Sequence, residues 1–300
     1  MGGEAALFCV WRIDFTSMDG AVGHHRPETD MADELQDKVI VVIGGTTGLG
    51  LSAAKAVARA GGSLVIVGRN EDSVESACEE LDGLAPGKSW GMAADAVDAG
   101  TADRAISVAL ASFGGFDGLY HVAGGSGRRF GDGPLHEVTD EGVHKTLELN
   151  LKALIYSNRA AVRSFLERGV AGAVLNMGSV LGSSPSPRFF STHVYAAAKS
   201  AVTGFTKSIA AYYASRDIRF NVIAPALVET PMAQRAAEDD LIQEYIRTKQ
   251  PLDGGRIGSP DDLDGLAVFL LSDQSRFVTG QVVAVDGGWS VSEGQIPEHS

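Results

Sequence analysis

Two side chains in the stretch "HVYAAAKSAVTGF" are set up for proton chemistry: Tyr195 and Lys199, four residues apart in an alanine-rich run. On a helix that spacing puts both on one face. A free phenol titrates near pH ~10 and is a poor base at neutral pH, but a cation beside it favours the phenolate. The pair is therefore a candidate general acid/base for an alcohol or carbonyl oxygen. With six tyrosines in the chain, a chance Tyr-x-x-x-Lys is a common accident, and the pair alone decides nothing. Its surroundings add weight: Ser179 closes the apolar run "AGAVLNMGS" just upstream, where its hydroxyl could orient the same oxygen. Between Ser179 and Tyr195 runs an irregular loop carrying Pro185, Pro187, Phe189 and Phe190. It is expected to wall the site. Its aromatics point either to an apolar part of the substrate or to packing on a neighbouring subunit.

The frame that must hold these residues begins at Lys38. "KVIVVI" is a continuous apolar run, the pattern of a strand buried on both faces, and "GLGLSAAKAVARAG" follows with helical spacing. The alternation continues: strands "SLVIVG", "SWGMAA", "FDGLYHVAG", "AGAVLNMGS", "IRFNVIAP" and "GQVVAVDGG", with helices between them. Two of those helices are long, over residues 142–169 and 193–215, and "DDLDGLAVFLLS" predicts another. Seven strands alternating with helices imply an α/β fold, a single doubly wound Rossmann-type domain with a seven-stranded parallel sheet and helices on both faces. "VVIGGTTGLGLSAAKA" puts Gly44, Gly48 and Gly50 between the first strand and first helix. Glycines there let backbone approach a pyrophosphate at the helix N-terminus; the alternative is a glycine-rich turn with no ligand. At the end of the second strand "VIVGRN" offers Arg69 and no carboxylate until Glu71. An acidic residue would bind ribose hydroxyls, whereas Arg69 could clamp a 2′-phosphate, which favours NADP over NAD, or merely cap the sheet edge.

Taken in order, these motifs resemble those of the short-chain dehydrogenase/reductase family over roughly residues 37–290. "IGGTTGLG" is similar to TGxxxGxG with Ile43 for threonine, "HVAG" to NNAG, "LELNLKA" to the segment of the helix asparagine, "YAAAK" to YxxxK, and "IRFNVIAPALVETPM" to IRVNxxxPGxxxT with Ala226 for glycine. The resemblance implies a hydride transfer in which Tyr195 is the general acid/base, Lys199 lowers its pKa and holds the nicotinamide ribose, Ser179 positions the substrate oxygen, and Asn150 supports a water-linked proton path. Read from its own position, Asn150 could equally back-bond to a carbonyl within the helix. The resemblance further implies cofactor contacts at Gly44, Thr46, Thr47, Gly48, Leu49, Gly50, Asp95, Ala96, Ala123, Gly124, Pro225, Val228 and Thr230, besides Arg69, Tyr195 and Lys199. For Thr230 the alternative is an N-cap of a helix starting at Pro231, and for Asp95 a helix cap. Two departures stand out: His121 and Val122 replace the paired asparagines, which implies a tuned site, and Ile43 lacks a hydroxyl that ties loops together, which weakens local stability.

Composition bounds the rest. The chain of 300 residues is 44% hydrophobic and 21% charged, a globular balance, with a formal net charge of −13. That acidity excludes nucleic acid and anionic membrane as partners, since the densest basic spot is Arg128-Arg129. Cys9 and Cys78 form no disulfide framework and no metal spacing, and no metal is expected; the acidic "EDD" at 238–240 reads as a solvated helix face. His193 either lines the substrate mouth or sits on a surface loop. A cytoplasmic setting fits these features. Residues 1–33 lack periodicity and are expected to be a flexible extension, with the domain over 34–300. The segment Ala226–Ile257 is expected to be a lid, hinged near Pro251 and the glycines at 254–255. The reading that follows is an NADP(H)-dependent oxidoreductase of a small-molecule carbonyl/secondary alcohol pair, a homotetramer or homodimer by resemblance. Alternatives are an NAD-dependent sugar or polyol dehydrogenase, a 3-oxoacyl thioester reductase, which the acidic surface disfavours, and a non-catalytic dinucleotide sensor.

Overall fold

Seven short runs of β-branched and apolar residues pair side by side, every neighbour parallel: β1 (Val39–Ile43), β2 (Ser63–Gly68), β3 (Ser89–Ala93), β4 (Gly118–His121), β5 (Gly172–Met177), β6 (Ile218–Pro225) and β7 (Val282–Val285). Their order across the sheet is β3-β2-β1-β4-β5-β6-β7. The computed structural model describes residues 34–231 and 233–295. The expectation of a flexible extension over 1–33 lies outside the described residues.

β1 is buried along its whole length because helices cover both faces. Alternate residues divide between two cores. Ile40, Val42, Leu64 and Ile66 meet α1 (Gly48–Arg59), α2 (Glu71–Leu84) and the C-terminal helix over Asp264–Leu271. Val41, Ile43, Val65 and Val67 meet α3 (Thr101–Phe113), α5 (Ala153–Arg168) and α6 (His193–Tyr213). Chain direction across the sheet reverses between β1 and β4, and the crevice at the carboxyl ends of those strands is where such sheets bind ligands.

Two predicted helices take a different form. The run over 142–169 is not one helix: α4 (Asp140–Leu147) passes into α5 through a π-helical turn, Glu148–Lys152. The cause sits inside the turn. Asn150 donates to the Thr146 carbonyl at 2.9 Å and reaches out of the helix to the Gly125 backbone, drawing the turn wide. The lid segment folds as α7 (Gln234–Ala237) and α8 (Asp240–Lys249). Asp239 accepts from the Leu241 and Ile242 amides and caps α8, so the middle residue of the acidic triplet has a structural task rather than a place on a solvated helix face. The last helix, α9 (Asp264–Leu271), starts later than its sequence pattern because Pro260–Leu263 form a 3-10 turn. Among the described residues no helix is long and apolar enough to cross a membrane.

Candidate active site

The carboxyl ends of β1, β4 and β5 gather most of the expected site. After β1, Gly44 adopts φ +89°, and a Cβ there would lie 2.6 Å from the Ala123 nitrogen. A Cβ at Gly50 would overlap the Gly44 carbonyl. Thr46 is buried beside Gly68 and Leu49 is half-buried. Thr47 precedes α1 without a side-chain cap, and the first turn carries no acidic residue, so the helix N-terminus faces the crevice with its amides uncommitted to a carboxylate. The concern about Ile43 is answered by backbone: the Val122 and Ala123 amides donate to the Ile43 carbonyl at 2.9 and 2.8 Å and tie the β1 and β4 loops together.

Ser179 follows β5 at the cap of a short 3-10 turn, its Oγ accepting from the Leu181 amide at 3.2 Å. Tyr195 and Lys199 project from α6. Lys199 is 3% exposed; its Nζ donates to the Met177 carbonyl at 2.8 Å and lies 5.6 Å from the centre of the Tyr195 ring. Burial lowers the Lys199 pKa to about 8, so the amine is still largely protonated at neutral pH. Burial raises the Tyr195 phenol above its ordinary value, opposed by a hydrogen bond with Ser179. Asn150 is buried and does two things at once: it back-bonds within its helix and clamps Gly125, accepting from that amide at 3.0 Å and donating to its carbonyl at 2.9 Å. A Cβ at Gly124 would approach Asn150 Oδ1 to 2.9 Å and Lys199 Nζ to 3.6 Å, so the β4 loop, the π turn and the lysine meet at one point.

The remaining expected contacts lie at or beyond the carboxyl ends of β2, β3 and β6. Arg69 is exposed at the end of β2, just before Asn70 caps α2, and makes no ion pair among the described residues. Asp95 is exposed after β3 and accepts from the Val97 amide at 3.1 Å in a turn; Gly100, not Asp95, caps α3, so the helix-cap alternative does not hold. Ala96 is half-buried beside it. Pro225 ends β6, and Val228 is buried where it bridges Gly258. Thr230 lies over the glycine loop, its methyl 3.4 Å from where a Gly48 Cβ would stand, and no helix begins at Pro231. His193 is exposed at the first residue of α6.

Two parts of the site had no signal in the sequence. Asp132 is 4% exposed and takes the Val194 and Tyr195 amides at 3.0 and 2.8 Å, capping α6 from 60 residues away in the chain. Below Lys199, a buried polar layer joins His121 to Ser157 at 2.7 Å and pairs the amides of Asn158 and Asn176 at 2.8 and 3.0 Å. Burial, then the Lys199 charge, lowers the His121 pKa to about 3, so the ring is neutral. The loop after Ser179 also corrects an expectation. Phe189 packs on Tyr245 at 5.1 Å and Phe190 stands edge-on to Trp289 at 5.6 Å, while Trp289 donates to the Ser184 carbonyl at 3.1 Å. These half-buried aromatics pack with α8 and Trp289 rather than standing as a free apolar wall.

This arrangement can bind a dinucleotide along the β1–β4 crevice and hold a hydroxyl, a phenol and an ammonium group around one substrate oxygen. Comparison with known proteins assigns the family. A family model described as enoyl-(acyl carrier protein) reductase matches residues 44–290. The chain is 33% identical to 2,5-dichloro-2,5-cyclohexadiene-1,4-diol dehydrogenase LinX of Sphingobium indicum, over 87% of this chain and 99% of that protein. It is 32% identical to the 3-oxoacyl-[acyl-carrier-protein] reductase FabG of Chlamydia muridarum, over 85% and 98%. The solved structure of a short-chain type dehydrogenase/reductase from Mycobacterium ulcerans superposes with a TM-score of 0.80 at 31% identity, covering 87% of this chain and 92% of that one. The chain belongs to the short-chain dehydrogenase/reductase family, oxidoreductases of CH–OH and C=O groups that use NAD or NADP.

Proposed function

We propose that the protein reduces or oxidises a small carbonyl/secondary alcohol pair with NADP(H), Tyr195 serving as the general acid/base. The observation that carries this reading is the Tyr195 phenol hydrogen-bonded to Ser179 with the buried Lys199 ammonium against its ring. The residues present suit a dinucleotide: Gly44 and Gly50 let the turn after β1 pack tightly on Ala123 and on itself, and the first turn of α1 carries no carboxylate to compete with a pyrophosphate for its amides. The bound nicotinamide supplies the hydride donor or acceptor. The protein does the rest. In the reducing direction Ser179 donates to the substrate carbonyl oxygen and orients it, and Tyr195 delivers a proton to that oxygen as charge develops. Lys199, fixed by the Met177 carbonyl, keeps a positive charge beside the phenol and favours the phenolate that results. Asn150 holds the Gly125 loop against this group.

Arg69 supports NADP over NAD: it is exposed immediately after β2, with no carboxylate before Glu71 to take ribose hydroxyls, and a guanidinium suits a 2′-phosphate. The test is turnover of ketones, aldehydes, sugars and acyl thioesters with NADPH and with NADH. Preference for NADPH, lost in Arg69→Glu, supports the reading; preference for NADH overturns the role of Arg69. Tyr195→Phe should lose roughly 10²-fold or more of turnover while NADPH binding stays, and a variant that keeps its rate would remove Tyr195 from the chemistry. For assembly, the face of α4, the π turn and α5 carries a groove of about 410 Å³ in which Val143, Leu147, Leu151 and Ile155 alternate with Asp140, His144, Glu148 and Lys152. A second copy covering it makes a homodimer or homotetramer, and light scattering that finds a monomer would dismiss that expectation.

A further inference from the structure

His121 ends β4 beneath the site and is 1% exposed. Its Nδ1 lies 2.7 Å from Ser157 Oγ. The same hydroxyl lies 3.0 Å from the Leu154 carbonyl, which can only accept. If the single hydroxyl proton goes to Leu154, the proton shared between Ser157 and the ring belongs to Nδ1, and His121 is assigned this tautomer. A neutral imidazole protonated at Nδ1 carries a lone pair at Nε2. Nε2 is fully enclosed and has no hydrogen-bond partner among the described residues. A buried acceptor left open is costly, so it calls for a donor.

The neighbourhood indicates which donor. His121 pairs in register with Asn176, next to Met177, whose carbonyl holds Lys199. Gly124, three residues beyond His121, sits so close that its Cβ would be 3.6 Å from Lys199 Nζ. An ammonium group has three donors, and Met177 takes one. Lys199 and Tyr195 are the titratable groups that α6 brings to this face; α5 and β5 contribute the neutral Ser157, Asn158 and Asn176. We propose that His121 is a positioning residue for Lys199, its Nε2 accepting, through one enclosed water, a hydrogen bond from the Lys199 ammonium group.

This rests on Lys199 acting as proposed above. Two measurements test it. Nitrogen-15 NMR of the histidine-labelled full chain, assigned with His121→Asn, should show a neutral Nδ1–H tautomer from about pH 5 to 8. The Nε2–H tautomer overturns the inference. In the second, His121→Leu removes the acceptor at similar size, while His121→Asn can return an amide oxygen. His121→Leu should lower kcat by about tenfold, the worth of a hydrogen bond to a charged group, and shift the lysine-dependent limb of the kcat/KM pH profile. His121→Asn should recover most of both. Equal losses in the two variants, or an unmoved limb in His121→Leu, overturn the positioning role. A wild-type protein with no turnover on any carbonyl instead overturns the functional reading itself.

Discussion

Asp132 shows how much of a reactive side chain's placement comes from a residue with no chemistry of its own. Tyr195 is the third residue of α6, and its backbone position depends on how that helix starts. Thr192, at the cap, makes no side-chain bond to the helix; Asp132 supplies both oxygens instead. A carboxylate at two N-terminal amides also complements the helix dipole. Asp132→Ala should destabilise the protein by about 1 kcal/mol, in the range of a lost cap, and lower kcat more than it changes the KM for NADPH. Urea unfolding and steady-state kinetics would check it; an unchanged kcat would mean α6 holds its register without the cap. The candidate site was legible wherever it is local. Tyr195 and Lys199 are one helical turn apart, Ser179 ends a readable strand, and the glycines follow another. Asp132 and the His121–Ser157 contact were illegible because each joins residues far apart in sequence, and neither partner's type announces the other.

At the scale of elements, the sheet and most of its helices could be read from alternation alone, because a parallel strand buried on both faces leaves an unbroken apolar run. The break between α4 and α5 could not. Each half has ordinary helical spacing, and the π turn arises from where Asn150 reaches in space. The lid was placed as a segment but not as a structure. The segment is pinned at Gln250, 2% exposed, whose side chain accepts from the Leu227 amide at 3.0 Å and donates to the Leu227 carbonyl at 3.2 Å. It acts as a piece of strand paired to the chain leaving β6. Above it, Tyr245 meets Ser186 at 3.1 Å and the aromatic cluster closes over Ser179's own turn through Val180. Lid and serine loop are therefore one packed body. Gln250→Ala would leave the buried Leu227 amide unpaired, at a cost of roughly 1–3 kcal/mol, while the Leu227 carbonyl keeps the Gly258 amide. It should raise the substrate KM and speed limited proteolysis within 226–257. A variant with wild-type proteolysis would show that the aromatic cluster alone secures the lid.

The whole molecule carries its site at a cost in stability, and that cost depends on pH. Two buried bases lie side by side in one layer. His121 titrates at about 3 in the fold against about 6.5 when unfolded. Between those values the unfolded chain binds a proton that the fold refuses, so stability is full above about 6.5 and falls as pH drops toward 3. Lys199, at about 8 in the fold, behaves alike in a higher window: stability climbs as pH rises from 8 toward its unfolded value. Asp264 has the opposite sign. Burial raises its pKa, so its contribution is present below the ordinary carboxylate value and lost as pH rises through the folded one. The chain's net charge of −13 adds a further opposing trend, since acid relieves repulsion until the charge reverses. A raw pH–stability curve mixes all four. The difference between wild type and His121→Asn isolates one of them. Measured by urea unfolding at neutral and mildly acid pH, that difference should move against the wild type by about 1.4 kcal/mol for each pH unit below about 6.5. It should be flat between 6.5 and 8, where His121 is neutral in both states and Lys199 is common to both proteins. A difference that stays constant through the acid window would mean that His121 takes up its proton in the fold as readily as outside it.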